Sequence, residues 1–240
     1  MRDAPVNVIN DFMSINLQTV PTLTFRKFRG EQSIESTTCR LCSKGEESVM
    51  HLLSNCERFI NHAYKRRHDR VLQCIMFKFL HKNGMIAELP PWYTNICIKP
   101  WYGNDKVEVY WDIPEYAGHD NEGEHGPLRP DGKIINKESK SILVLEMSVP
   151  WITNRRSKLE EKENKYRNVI QGLKVDNPGF TVKQVTFIID CLGGYSADLR
   201  NNLALLGLTK KEIETILPRI QRIVVTEANS VINNFKVATL

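Results

Sequence analysis

The chain has 240 residues, of which 41% are hydrophobic and 25% charged, and its formal net charge is +5 at pH 7. This length fits one large domain or two small ones, and the composition is that of a globular chain rather than a disordered one. No apolar run reaches membrane-spanning length, and the first residues, MRDAPVNVINDF, lack the apolar core of a signal peptide, which argues against membrane insertion and secretion.

The first distinctive segment follows an N-terminal stretch of weak hydrophobic periodicity. That stretch, 1–37, is predicted to be an irregular lead-in with one short helix. Segment 38–57 then carries the pattern C-x2-C-x8-H-x4-C, formed by Cys39, Cys42, His51 and Cys56. Thiol and imidazole ligands at this spacing suit one tetrahedral Zn²⁺ with no open position, which is typical of a structural site. Chance spacing is the alternative.

Three further cysteines lie outside this pattern, in apolar surroundings. They are Cys74, Cys97 and Cys191. We predict that all three are buried free thiols and that the protein resides in a reducing compartment.

A long helix is predicted from Glu57 to His81, because apolar residues recur there mostly at helical spacing. Its predicted exposed face is basic and comprises Lys65, Arg66, Arg67 and Arg70. Such a face favours contact with nucleic-acid phosphates, and an ordinary solvated helix face is the alternative. Residues 38–88 form one predicted unit, since Leu89-Pro90-Pro91 breaks the chain.

The second predicted unit, 89–240, begins with short β-like runs. These runs are 94–100, 107–113 and 131–136. An acidic loop at 112–125 precedes the third run. Residues 137–139 resemble a hairpin turn, and 141–149 is the strongest predicted strand of the chain.

Two acidic residues of this hairpin are candidate metal ligands. Asp131 follows a proline at the start of one strand, and Glu146 lies inside the apolar run of the other. In the simplest register Asp131 faces a residue near Glu146, at a distance of about 5 Å. A lone charge in an apolar run is costly to bury, so Glu146 needs a partner or a metal unless it faces solvent at a sheet edge. Two adjacent carboxylates suit a Mg²⁺-dependent phosphodiesterase.

The helix predicted from about 153 to 175 offers the cation that such a nuclease needs near the scissile phosphate. Lys158, Lys162 and Lys165 are four and three residues apart and therefore share one helix face. They alternate with glutamates, so a solvated Lys/Glu face is the alternative. Arg155 and Arg156, at the start of this segment, add to the predicted polyanion-binding surface.

The remaining elements complete a mixed fold. Asn177-Pro178-Gly179 ends the preceding helix, and 181–193 is predicted to be a buried central strand. Two helices close the chain, at 195–206 and 210–236, the second kinked by Pro218. This order of elements predicts an α/β or α+β fold around a mixed sheet.

Four sequence motifs in this order resemble a known family. They are CRLC…HLLSNC, KRRHDRVL, RPD…ILVLEM and KENKY. Residues 38–240 resemble the C-terminal region of site-specific non-LTR retrotransposon polyproteins, in particular those that insert into ribosomal RNA genes. The resemblance implies a PD-(D/E)XK restriction-endonuclease-like mixed sheet flanked by helices, preceded by a small CCHC zinc finger and a long helix.

The resemblance also implies roles for individual residues. The CCHC residues would bind structural Zn²⁺, and Asp131 and Glu146 would bind catalytic Mg²⁺, although relatives often have Asp at the second position. Lys162 would be the catalytic lysine, with Lys165 second and Tyr166 in support. His68 and Asp69 would lie near the site or the DNA backbone.

The predicted function is a Mg²⁺-dependent DNA endonuclease that nicks target DNA in the nucleus and leaves a 3′-hydroxyl for target-primed reverse transcription. Its expected partners are double-stranded DNA, element RNA and a reverse transcriptase domain in cis or in trans. The chain has no Asp-Asp pair and is too short for that domain, which indicates a fragment or a host-retained remnant. The alternatives are a nucleic-acid-binding remnant that no longer cuts and a zinc-stapled protein-interaction domain.

Overall fold

The computed structural model describes residues 6–91, 93–94, 96–115 and 128–239. Its described strands form one five-stranded sheet in the order β1-β2-β3-β4-β5. The strands are β1 Trp101–Gly103, β2 Val107–Trp111, β3 Gly132–Asn136, β4 Ser141–Ser148 and β5 Thr181–Ile188. Neighbours are antiparallel except β4 and β5, which are parallel. The predicted mixed sheet with flanking helices is therefore confirmed.

Helices surround this sheet and also precede it. The α-helices among the described residues are α1 Val6–Asn16, α2 Leu23–Phe28, α3 Val49–Ser54, α4 Glu57–Phe59, α5 Lys65–Lys82, α6 Arg155–Lys165, α7 Arg167–Asp176, α8 Ala197–Leu205 and α9 Lys210–Ala238. A π-helical turn, Ile60–Tyr64, joins α4 to α5, and a 3₁₀ turn, Ile152–Asn154, precedes α6. Within the described ranges, none of these helices combines the length and apolarity needed to cross a bilayer.

Strand β4 divides its side chains between the two faces of the sheet. Leu143, Leu145 and Met147 belong to a hydrophobic cluster that also contains buried residues of α5 and α9. Because side chains alternate along a strand, Val144 and Glu146 point to the opposite face. Helices α6 and α7 cover that face next to β5. The strand is buried on both faces, which explains its continuous apolar run.

A second hydrophobic cluster lies around the cysteine-rich segment. It includes Cys39 and Cys56, Trp151 after β4, and Phe235 near the end of α9. The boundary predicted at 88/89 stays a prediction. However, α5 before it and β4 after it contribute to one cluster, so the two parts share their hydrophobic core.

The lead-in and the first β-like run differ from the sequence predictions. The lead-in contains two helices, α1 and α2, and Ile15 and Val20 are buried in the second cluster, because they cover the cysteine-rich segment. The described part of 94–100 forms no strand. Its Cys97 is exposed, so the prediction that it is buried is wrong.

The helix predicted from 153 to 175 is divided into α6 and α7. The break falls at Tyr166, whose side chain is fully buried and whose backbone leaves the helical course between the two helices. The later predictions agree with the structure in type, since β5, α8 and α9 lie within or close to their predicted ranges. Most of the predicted acidic loop, 116–125, lies outside the described residues.

Candidate metal centres

The four residues of the CCHC pattern come together as one cluster. Their ligand atoms all lie within 4.8 Å of one another. Cys39 Sγ is 3.9 Å from Cys56 Sγ, and Cys42 Sγ is 3.2 Å from His51 Nε2. Around a tetrahedral Zn²⁺ such atoms are separated by roughly 3.5–3.8 Å. The donor set and its spacing therefore fit a four-coordinate structural zinc.

Local backbone geometry explains how these ligands converge. Gly45 has φ +63°, and a Cβ there would lie 3.1 Å from His51 Nδ1. The turn thus needs glycine both for its left-handed backbone and for the close approach of the imidazole. Ser48 caps α3 by accepting a hydrogen bond from His51 N, and this helix presents the imidazole to the thiols. Burial raises the pKa of the Cys56 thiol to about 12, so a bound cation would be needed to hold it as a thiolate.

Tyr64 and Arg67 connect this cluster to the sheet. Tyr64 Oη donates a hydrogen bond to Leu52 O at 2.6 Å and accepts one from Cys56 N at 3.1 Å. Arg67 Nη2 donates to Leu53 O at 2.9 Å and to Val149 O, just beyond β4, at 3.3 Å. The two side chains therefore hold the segment after α3 against the end of β4.

The predicted basic face of the long helix needs correction. Arg67 is only 2% exposed, because it lies between the cysteine-rich segment and β4, and it cannot contact DNA as predicted. Arg66 and Arg70 both form ion pairs with buried Glu227 of α9, at 2.7 and 2.5 Å, so their charge is already partnered. Lys65 remains exposed.

The two candidate acids lie side by side, as the hairpin predicts. Gly132 pairs with Leu145 in the β3–β4 register, which places Asp131 next to Glu146. Asp131 Oδ2 accepts a hydrogen bond from Met147 N at 2.7 Å, which anchors the carboxylate at the end of β4. The sequence therefore located this pair of carboxylates correctly.

Glu146 is a buried acid with one lysine partner. It is 1% exposed, and its Oε2 lies 2.5 Å from Lys162 Nζ of α6. Burial, together with the negative charge of Asp131, raises the pKa of Glu146, and the Lys162 ammonium opposes this shift. Gln184 of β5 donates a hydrogen bond to Lys162 O and so fixes the last turn of α6. Gln184 was not recognised in the sequence, where it is one polar residue in a strand.

His68 reaches the same carboxylates from α5. Its Nε2 lies 3.1 Å from Asp131 Oδ2 and 3.2 Å from Met147 O, and its Nδ1 lies 3.0 Å from Asp69 Oδ1. Burial favours the neutral imidazole, but hydrogen bonds to Asp131 and Asp69 outweigh it and raise the pKa of His68 to about 10. His68 therefore belongs to the site, as the sequence motif predicts.

The other residues predicted around the site lie at different distances from it. Lys165 Nζ lies over the ring of Tyr166, 4.8 Å from its centroid, whereas Lys162 contacts Glu146. Tyr166 Oη donates to Arg129 O at 2.8 Å, two residues before Asp131. Of the two candidate lysines, Lys162 is thus the one at the carboxylates, and Tyr166 supports the loop that carries Asp131.

The remaining basic residues of α6 differ in exposure. Arg156 and Lys158 point to solvent and pair with exposed glutamates of their own helix. Arg155 lies 3.5 Å from the buried carboxylate of Asp190, so part of its charge is used within the protein. Asp190, at the end of an apolar run, was not predicted as a functional residue.

Comparisons with known proteins give little independent information. No protein-family model matches the chain, and no curated protein is similar to it. Among solved structures, an N-terminal domain of a reptarenavirus L protein aligns with 90% of this chain and 95% of that domain. The sequence identity is 14% and the TM-score is 0.31, which is too low to support an argument about function.

Proposed function

We propose that this chain is a metal-dependent DNA endonuclease of the restriction-enzyme-like type, related to the C-terminal region of site-specific non-LTR retrotransposon polyproteins. The observation that carries the proposal is the arrangement of Asp131, Glu146 and Lys162. Two carboxylates lie on neighbouring backbone segments, and a lysine from the following helix contacts the buried one at 2.5 Å. Acids and a cation in this arrangement suit phosphodiester hydrolysis.

Asp131 and Glu146 would hold the divalent cation, Mg²⁺ or a related ion. Their chemistry fits such an ion, because the charge of Asp131 raises the pKa of the buried Glu146 and a cation between them would remove this repulsion. When bound, the cation would polarise a phosphate oxygen and favour ionisation of a water molecule.

The surrounding residues have separate tasks in this proposal. The ammonium of Lys162 lies beside the carboxylates, where it can orient the attacking water and stabilise negative charge on the phosphate. Met147 N holds one oxygen of Asp131, and Tyr166 holds the preceding loop through Arg129 O. Zinc, bound by the CCHC cluster, would stabilise the segment from which α5 extends.

The proposed substrate is double-stranded DNA, and three exposed basic side chains support this. Arg156 and Lys158 lie on α6, the helix that carries Lys162, and Lys65 lies at the start of α5, the helix that carries His68. Such side chains contact phosphates without reading bases.

The nick would leave a 3′-hydroxyl for target-primed reverse transcription in the nucleus. A reverse transcriptase domain, in cis or in trans, would act with element RNA.

The test is nicking of supercoiled plasmid by zinc-loaded protein with Mg²⁺. The wild type should produce open circles, whereas Asp131→Asn and Glu146→Gln should not. Asp105→Asn and Glu138→Gln are matched controls, because they make the same chemical changes at exposed positions of the sheet loops. Binding to the plasmid without nicking would replace the proposal with a silent binding module. Absence of binding at low salt would leave the protein-interaction alternative.

A further inference from the structure

His68 is surrounded by hydrogen-bond acceptors at both ring nitrogens. A carboxylate oxygen of Asp69 lies 3.0 Å from Nδ1. A carboxylate oxygen of Asp131 lies 3.1 Å from Nε2, and the carbonyl oxygen of Met147 lies 3.2 Å from it. None of these three oxygens can donate a proton when the two carboxylates are ionised.

A neutral imidazole cannot satisfy this environment alone. It carries a single N–H, and if Nδ1 donates that proton to Asp69, the lone pair of Nε2 points at two oxygens. Without a metal, a proton on Nε2 satisfies these two oxygens, and a bound cation would take the place of that proton. Metal–ligand bonds of about 2.0–2.2 Å at right angles place neighbouring ligand atoms about 3 Å apart. The separations of 3.1 and 3.2 Å match this arrangement.

We propose that His68 is a direct ligand of the catalytic metal, together with Asp131 and the carbonyl oxygen of Met147, and that Asp69 orients its ring. This inference rests on the proposed function, because it concerns the same metal site. A histidine that binds a metal through one nitrogen commonly donates its other N–H to a carboxylate, which is the arrangement of His68 and Asp69.

A nitrogen ligand changes the metal preference of the site. Mg²⁺ prefers oxygen ligands and keeps much of its water. Mn²⁺ is a transition metal and binds nitrogen ligands more readily than Mg²⁺ does. The site with His68 should therefore bind Mn²⁺ more tightly than Mg²⁺. Two carboxylates alone would give a smaller difference between the two ions.

The fold holds His68 firmly at this position. The neighbouring Arg67 donates to Leu53 O and Val149 O. On the next turn of α5, Val71 and Leu72 are buried in the hydrophobic cluster that α5 shares with the sheet. The ring therefore meets the end of β4 without a rearrangement of the helix.

The experiment measures Mn²⁺ binding to the zinc-loaded full chain by electron paramagnetic resonance. The pulsed spectrum of the bound ion should show modulation from a directly coordinated ¹⁴N, and this modulation should vanish in His68→Gln. His68→Gln should also weaken Mn²⁺ binding at least about tenfold, and Asp69→Ala about 10–100-fold. His62→Gln, an exposed histidine of the preceding turn, is the matched control and should change neither signal.

The outcomes separate this inference from the proposed function. Bound Mn²⁺ without ¹⁴N modulation in the wild type would overturn the role of His68, and Mg²⁺-dependent nicking would still support the endonuclease. A His68→Gln protein that keeps wild-type Mn²⁺ affinity, while Asp131→Asn loses it, would overturn the inference in the same way. A wild-type protein that binds neither Mn²⁺ nor Mg²⁺ and does not nick DNA would refute both.

Discussion

Replacement of Lys162 by methionine tests how much the Lys162 ammonium stabilises the buried Glu146 carboxylate. Methionine keeps most of the length of the side chain but removes the charge that lies 2.5 Å from the Glu146 carboxylate. Glu146 is 1% exposed, so water cannot replace the lost partner. Loss of one member of a buried ion pair costs about 3–5 kcal/mol. Because the Lys162 side chain is 19% exposed, we expect a cost at or just below the lower end of that range, about 2–3 kcal/mol.

The cost should depend on pH in a defined direction. Without Lys162, the folded-state pKa of Glu146 is raised further above its unfolded value, since burial and Asp131 remain and the opposing cation is gone. A group with a raised folded-state pKa stabilises the fold at pH values below its unfolded pKa and loses this effect as pH rises. The destabilisation of Lys162→Met relative to wild type should therefore be largest near neutral pH and shrink toward about pH 5.

The assay is unfolding by urea at several pH values, monitored by circular dichroism. The protein is loaded with zinc at the cysteine cluster and has no divalent cation at the carboxylates. Lys158→Met is the matched control, because Lys158 pairs with Glu161 on the same helix and both side chains are exposed. Its loss should cost no more than about 0.5 kcal/mol at any pH. Equal effects of the two variants, or a Lys162→Met effect that does not change with pH, would refute the reasoning.

Three further predictions concern the cysteine cluster and its connection to the sheet. Removal of zinc by a thiol-competing chelator should unfold segment 38–57, seen as new protease cleavage there, and unchanged protease resistance would contradict a zinc site. Tyr64→Phe should cost about 1–2 kcal/mol in urea and speed zinc transfer to a chelator, because Leu52 O loses the hydroxyl donor and Cys56 N loses one of its two acceptors. Arg67→Lys should cost about 2–3 kcal/mol, because the lysine side chain is too short to bring its ammonium to the position from which Arg67 Nη2 serves both carbonyls, and it loses the guanidinium contact with the Tyr64 ring. Arg67→Met, which removes the charge, should leave the salt dependence of DNA binding by the folded protein unchanged, and a reduced slope would show that Arg67 contacts phosphate.

The parts of the site that were predictable depend on local pattern. The apolar run of β4 and the preceding Pro-Asp were enough to predict that Asp131 and Glu146 are neighbours, because a short hairpin fixes its own register. The CCHC spacing similarly restricts four ligands to one short segment. Lys162 was predictable only through the KENKY motif, and helix spacing alone could not separate it from Lys165.

The features that were missed depend on distant contacts. Arg67 stands in the basic run KRRHDR, where local sequence predicts solvent exposure, yet its burial is decided by Leu53 O and Val149 O. The break at Tyr166 has no proline or glycine to mark it and coincides with burial of the aromatic ring, whose hydroxyl donates to the distant Arg129 O. The short edge strand β1 has only three residues and lacks a recognisable alternation.

The packing of α5 against the sheet sets limits on how this protein can be shortened or recombined. A fragment that starts at residue 89 would lack His68 from its proposed metal site and would expose the apolar side chains of β4 that α5 covers. A fragment that ends at residue 88 would leave the cysteine cluster without Trp151 and Phe235. The cysteine-rich segment and the sheet therefore form one folding unit. Replacement of either part by the corresponding part of a related protein requires compensating changes in the other.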